Sequence, residues 1–184
     1  MIKYYFVLFF LIGVLFFIHT VECFSKTTGY ESIQEEYLLI RNSVDFEKAT
    51  VYLLDVLGSK EAQSDLELRI WSQIHLANVL WASGRFDESY SYLQKIEKSI
   101  DLIDNNYLKS LFHQEYSQYY YQLGFINLSL QRNKEAISYA KTIKDTGLQK
   151  RILSYVYATR KVMFNALAQE DSALQYPSDK PHLF

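Results

Sequence analysis

Acid–base, metal and nucleophilic chemistry each need suitable side chains gathered in one place, and this chain offers few. Its histidines beyond the first twenty residues are His75, His113 and His182. None lies four residues from another and no HExxH occurs, so the spacing for zinc on one helix face is missing. His75 and His113 read as ordinary helix-surface residues. Cysteine occurs once, at Cys23, which rules out an internal disulfide and every paired-cysteine metal motif. Glu35-Glu36 and Asp87-Glu88 are adjacent carboxylates, but neighbours on a helix point to different faces and cannot share a site. Asp87-Glu88 fits better as first-turn charge on a helix dipole. The glycines never cluster into a phosphate cradle or a nucleophile turn. Asn127-Leu128-Ser129 matches a glycosylation sequon inside a predicted helix and is discounted. These residues predict a protein that is not an enzyme, with no cofactor and no metal.

Tyr119-Tyr120-Tyr121, with Tyr116 nearby, is a different kind of signal. Successive helical residues cannot all face the core. Tyr119 fits the buried stripe, Tyr120 partly does, and Tyr121 points elsewhere. Trp81, Gln114, Gln118 and Tyr121 are therefore the candidate residues of a binding groove. Tyr and Trp there offer large contact area at low rotamer cost. Packing between neighbouring helices is the plainer alternative for such an aromatic chain.

The elements that would position these residues are helices. The chain has 184 residues, of which 49% are hydrophobic and only 6 are Gly and 2 Pro. So few breakers favour helices with short turns. Apolar residues at Leu66, Ile70, Ile74, Ala77 and Trp81 recur at helical spacing, and Ser64-Asp65-Leu66-Glu67 resembles a capping box. Ser83-Gly84-Arg85 breaks that pattern before Phe86 opens a second helix. Helices are expected at roughly 31–42, 45–57, 65–82, 86–99, 106–131, 134–144, 148–168 and 171–175. Small residues at Ala49, Ser89, Ala136 and Ala173 suggest a recurring unit, with Ala77 and Gly124 each twelve residues before its partner. A small residue on each helix lets two backbones approach.

Leu76-Ala77, Leu80, Gly84, Phe86, Glu88, Ser89, Leu93 and Ile96 resemble the tetratricopeptide repeat signature, and Leu123-Gly124, Ala136, Ala140 and Ile143 resemble it again. Ala77, Gly84, Ser89, Gly124 and Ala136 are its structural positions here. Tyr37 and Lys161 stand where small residues are usual. The resemblance implies an all-α, right-handed α-solenoid of antiparallel helix pairs, with about three to four repeats over residues 30–176. It also implies a non-enzymatic scaffold that binds a protein or peptide segment. The long repeats resemble the exported sensor regions of bacterial regulators, so the sensor portion of a signalling or transcriptional regulator is the alternative.

Lys3 followed by the uncharged run Tyr4 to Ile18 reads as a signal peptide or membrane anchor over residues 1–23. Export to the periplasm, secretion or membrane anchoring follows, with membrane contact only through that segment if it is uncleaved. Residues 177–184 read as a flexible tail. The net charge of −2 gives no pull towards nucleic acid. Charge is unevenly placed, however. Glu31 to Asp104 carries fourteen acids against seven bases, and Arg132 to Lys161 eight bases against two acids. That pattern suits solvated faces, a basic face for an acidic partner, or head-to-tail self-association.

Overall fold

The computed structural model describes residues 31–175. Among them are eight α-helices and no strand, as an all-α reading requires. In chain order they are α1 (Glu31–Asn42), α2 (Phe46–Gly58), α3 (Lys60–Ser64), α4 (Leu66–Ala82), α5 (Phe86–Glu97), α6 (Asn106–Gln122), α7 (Ile126–Ala140) and α8 (Thr146–Gln175). A 3-10 turn, Ile100–Leu102, follows α5. The expected leader with Cys23, and His182 with the tail, lie outside the described residues. No described helix is long and apolar enough to cross a membrane.

Side-chain caps set most helix starts. The Asp45 carboxylate accepts from the Lys48 N–H at 2.9 Å, Asp65 from Leu68 at 3.0 Å, Asn105 from Leu108 at 3.1 Å and Asp145 from Leu148 at 2.7 Å. Asp65, not Ser64, caps α4, because Ser64 closes the short α3 that the sequence pattern does not announce.

The turns between paired helices repeat at a spacing of forty residues. Val44, Gly84 and Gly124 have φ of +59°, +84° and +81°. After α4, Gly84 N–H donates to Trp81 O and Arg85 N–H to Leu80 O; after α6, Gly124 donates to Tyr121 O and Phe125 to Tyr120 O. Both are Schellman closures. Forty residues also separate the contacts that join each pair. Ser89 Oγ donates to Ala77 O at 2.8 Å, and Ser129 Oγ to Ser117 O at 2.7 Å.

This spacing corrects the expected register. Gly124 is the turn residue and not the partner of Ala136. Ser117 and Ser129 occupy the places that Ala77 and Ser89 hold one unit earlier. Helix α6 ends at Gln122 instead of running to residue 131, and Asn133 lies buried in the middle of α7 rather than opening a helix. Apolar spacing continues through Leu123, Ile126 and Leu130, so periodicity alone hides the break. Residues 171–175 form no separate helix, since α8 runs unbroken to Gln175.

The core is continuous along the chain. α1 packs on α2, α4 on α5 and α6 on α7, while α4 also meets α2, α6 meets both α4 and α5, and α8 meets α6 and α7. Leu53, Ile74, Leu80, Leu93, Ile96, Leu108 and Phe112 are among its buried members.

The turns make a signed prediction. Nothing lies within 4 Å of a Cβ added at Gly84 or Gly124, so replacement by Ala is penalised only through the left-handed backbone. Gly84→Ala and Gly124→Ala should each lower unfolding free energy by about 1 kcal/mol in urea titration. Val44→Gly, which relieves a β-branched residue of the same conformation, should raise it by a similar amount.

Candidate functional site

Polar residues on the first helix of each pair, and on α8, meet in a seam that is largely closed to solvent. Glu115 of α6 is its centre. Its Oε2 accepts from Asn78 Nδ2 of α4 at 2.6 Å and from Trp81 Nε1 at 3.3 Å. Burial pushes its carboxyl above the usual carboxylate range, while the Asn78 bond, the Arg41 guanidinium of α1 and the Trp81 bond pull the other way. Burial also pushes the Tyr37 phenol up to about 12, with Arg41 lowering it and Glu115 raising it. His75 is held well below its ordinary range by burial and then by Arg41. Its ring packs on Tyr37 and Trp71, at centroid distances of 4.8 and 4.5 Å.

The seam continues onto α8. Gln118 Nε2 donates to the Tyr155 hydroxyl at 2.8 Å, and Gln114 Nε2 to Thr159 Oγ1 at 3.0 Å. Asn133 Nδ2 of α7 bonds both Gln114 Oε1 and Val156 O. Gln114 and Gln118 are therefore 1% and 3% exposed, which corrects their placing on an open groove. They became internal because α8 lies against α6 and offers matching polar groups. Trp81, which bonds Glu115, and Tyr121, forty residues further on, are both half-buried.

His113 is buried as well, so neither internal histidine is the surface residue expected. Its Nδ1 lies 2.8 Å from Glu135 Oε2, and its ring stacks on Tyr139 at 5.4 Å. Burial lowers its pKa to about 4 against the pull of Glu135. Arg132 joins Glu135 to Glu97 and lies over the Tyr116 ring at 4.4 Å. This cluster ties α6 to α7 and α5. Among the described residues no three His, Cys, Asp or Glu are grouped to hold a metal ion.

Sequence reasoning passed over Arg41, Asn78 and Glu115. The available signal was a polar residue standing on an otherwise apolar stripe: Asn78 between Ile74 and Trp81, Glu115 between Leu111 and Tyr119. Such a residue is usually paired across helices.

The histidines give the pH dependence its sign. Both have folded pKa values below the unfolded one, so their stabilisation is complete above about 6.5 and is lost as pH falls, when only the unfolded chain takes the proton. Glu115 acts oppositely, since a raised carboxyl pKa loses stabilisation as pH rises past about 4.3. Urea midpoints should fall between pH 6.5 and 5, and His75→Phe should flatten that slope by up to about 1.4 kcal/mol per pH unit. An unchanged slope in the variant would show that His75 titrates normally in the fold.

Comparison with protein-family models, with curated proteins and with solved structures finds no match to this chain.

Proposed function

We propose that the chain is a non-enzymatic scaffold, a right-handed α-solenoid of the tetratricopeptide type, that holds a segment of another protein. The forty-residue recurrence supports this reading above all: left-handed turns at Val44, Gly84 and Gly124, and serine closures at Ser89 and Ser129. Hairpins repeated at a fixed spacing and joined to their neighbours form an extended array, and such arrays present long surfaces for partners.

The same spacing places Arg41, Trp81, Tyr121 and Lys161 at one recurring position, near the exposed end of the seam. Trp81 and Tyr121 are the partner contacts of this reading. Gln114, Gln118 and Glu115 hold the first helices in register beneath them and do not touch the partner. Export through residues 1–23 belongs to the same proposal and puts the partner outside the cytoplasm.

Tyr121→Ala is the cleaner test, because Trp81 also bonds Glu115. A partner recovered from envelope extract by the full chain, then titrated in purified form, should bind Tyr121→Ala about tenfold more weakly, the loss of one aromatic contact. Thermal melting should change little. Equal affinity for both proteins would remove Tyr121 and its column from the binding surface.

A further inference from the structure

The two ends of the array are unlike the middle, and they are complementary to each other. Positions 32, 35, 36 and 39 recur forty residues later at 72, 75, 76 and 79, then at 112, 115, 116 and 119, then at 152, 155, 156 and 159. In the three later sets every residue is buried, and His75, Glu115, Tyr155 and Thr159 among them contact the preceding unit. In α1 the same places are held by Ser32, Glu35, Glu36 and Leu39, and all four are exposed, Leu39 at 73%. At the other end, positions 154, 157 and 158 of α8 are exposed, whereas their counterparts Gln114, Ser117 and Gln118, and before them Ile74, Ala77 and Asn78, are buried. Tyr157, 46% exposed, stands where Ala77 and Ser117 receive their own second helix. Lys150 and Lys161 flank this face.

From these facts we infer that the occupant of both faces is a second copy of the chain, docked head to tail, with α1 of one copy on α8 of the next. Charge favours this occupant. Glu35 lies on one face, Lys150 and Lys161 on the other, and like-to-like pairing of either face would set equal charges together. Internal stacking supplies the register. Glu115 is bonded to positions 78 and 81 of the unit before it, and Thr159 to position 114. Carried across a copy boundary at the same offsets, Glu35 meets Ala158 and Lys161, and Leu39 meets Ser154. The Glu35–Lys161 ion pair replaces the Glu115–Trp81 bond, and Leu39 leaves water. A contact between two different faces does not close on itself at two copies, so it builds rings or open filaments. The inference stands on the forty-residue equivalence and is independent of the groove reading.

The test uses the full chain in neutral detergent micelles, with Cys23→Ser removing the native thiol. Glu35→Cys combined with Lys161→Cys should give, under mild oxidation, disulfide-linked dimers and higher multiples. Each single variant should give no multiples beyond a dimer, and a mixture of the two should give a mixed dimer. Separately, Glu35→Lys or Lys161→Glu should raise the concentration for association in sedimentation at least tenfold, and the two together in one chain should restore it. Absence of cross-linked species in the paired variant would overturn the proposal and leave these faces to residues 1–30 or to another protein. Failure of the double reversal to restore association would overturn it equally.

Discussion

The fold depends on how closely two successive helices can approach. A turn of three residues fixes their ends, but it does not bring their middles together. In two of the pairs that is done by buried serines: the Ser89 hydroxyl reaches the Ala77 carbonyl, and the Ser129 hydroxyl reaches the Ser117 carbonyl. Both hydroxyls are wholly buried, so each must find an acceptor, and a backbone carbonyl on the facing helix is within reach only when both residues are small. A larger side chain at either place would separate the helices and leave the hydroxyl without its partner. The interhelix distance set here determines which residues remain on the outer faces to meet the next pair.

Those outer faces are partly polar, which constrains the stacking in a different way. An apolar interface tolerates sliding, because dispersion is not directional. Asn78, Trp81 and Glu115 do not, since a shift of one residue would strand a buried carboxylate. Gln114 with Thr159, and Gln118 with Tyr155, impose the same register one step further along. Burial disfavours the Glu115 charge, and Arg41 opposes that effect from α1, so α1, α4 and α6, the first helices of three pairs, are coupled through one ionisable group. Such a seam adds little net stability over hydrocarbon, but it selects one alignment of the helices.

Local chemistry was readable in the sequence, and long-range chemistry was not. The Gly84 turn and the helical stripe of α4 each follow from residues a few positions apart. The end of α6 was missed because Leu123, Ile126 and Leu130 keep helical spacing through Gly124, and a lone glycine does not by itself stop a helix. Gln114, Gln118 and His113 were placed outside by their polarity. Their burial depends on partners 22 to 45 residues away, Glu135 for His113, Thr159 for Gln114 and Tyr155 for Gln118, and no pattern along α6 reveals those. Comparing positions forty residues apart recovers more than helical periodicity does, once the turn glycines rather than the small residues are used to set the register.

The chain does not turn back a fourth time within α8. Forty residues beyond Gly124 stands Phe164, at the place where a left-handed residue would have to turn the chain back. An aromatic residue there would carry the backbone penalty of roughly 1–2 kcal/mol that the two glycines avoid. Val44 bears such a penalty, but its turn has α1 and α2 packed on either side to hold it. At residue 164 the helical alternative has its own reward. A straight α8 sets Met163 against the Ser129 and Ser117 hydroxyls, at 3.2 and 3.9 Å, and buries it completely. Helix capping potential at Asp171 and Ser172 comes too late to compete, because by then the chain has already passed the position at which the earlier units reverse. With Phe164 at this recurring position α8 runs unbroken to Gln175, and Tyr157 is left exposed.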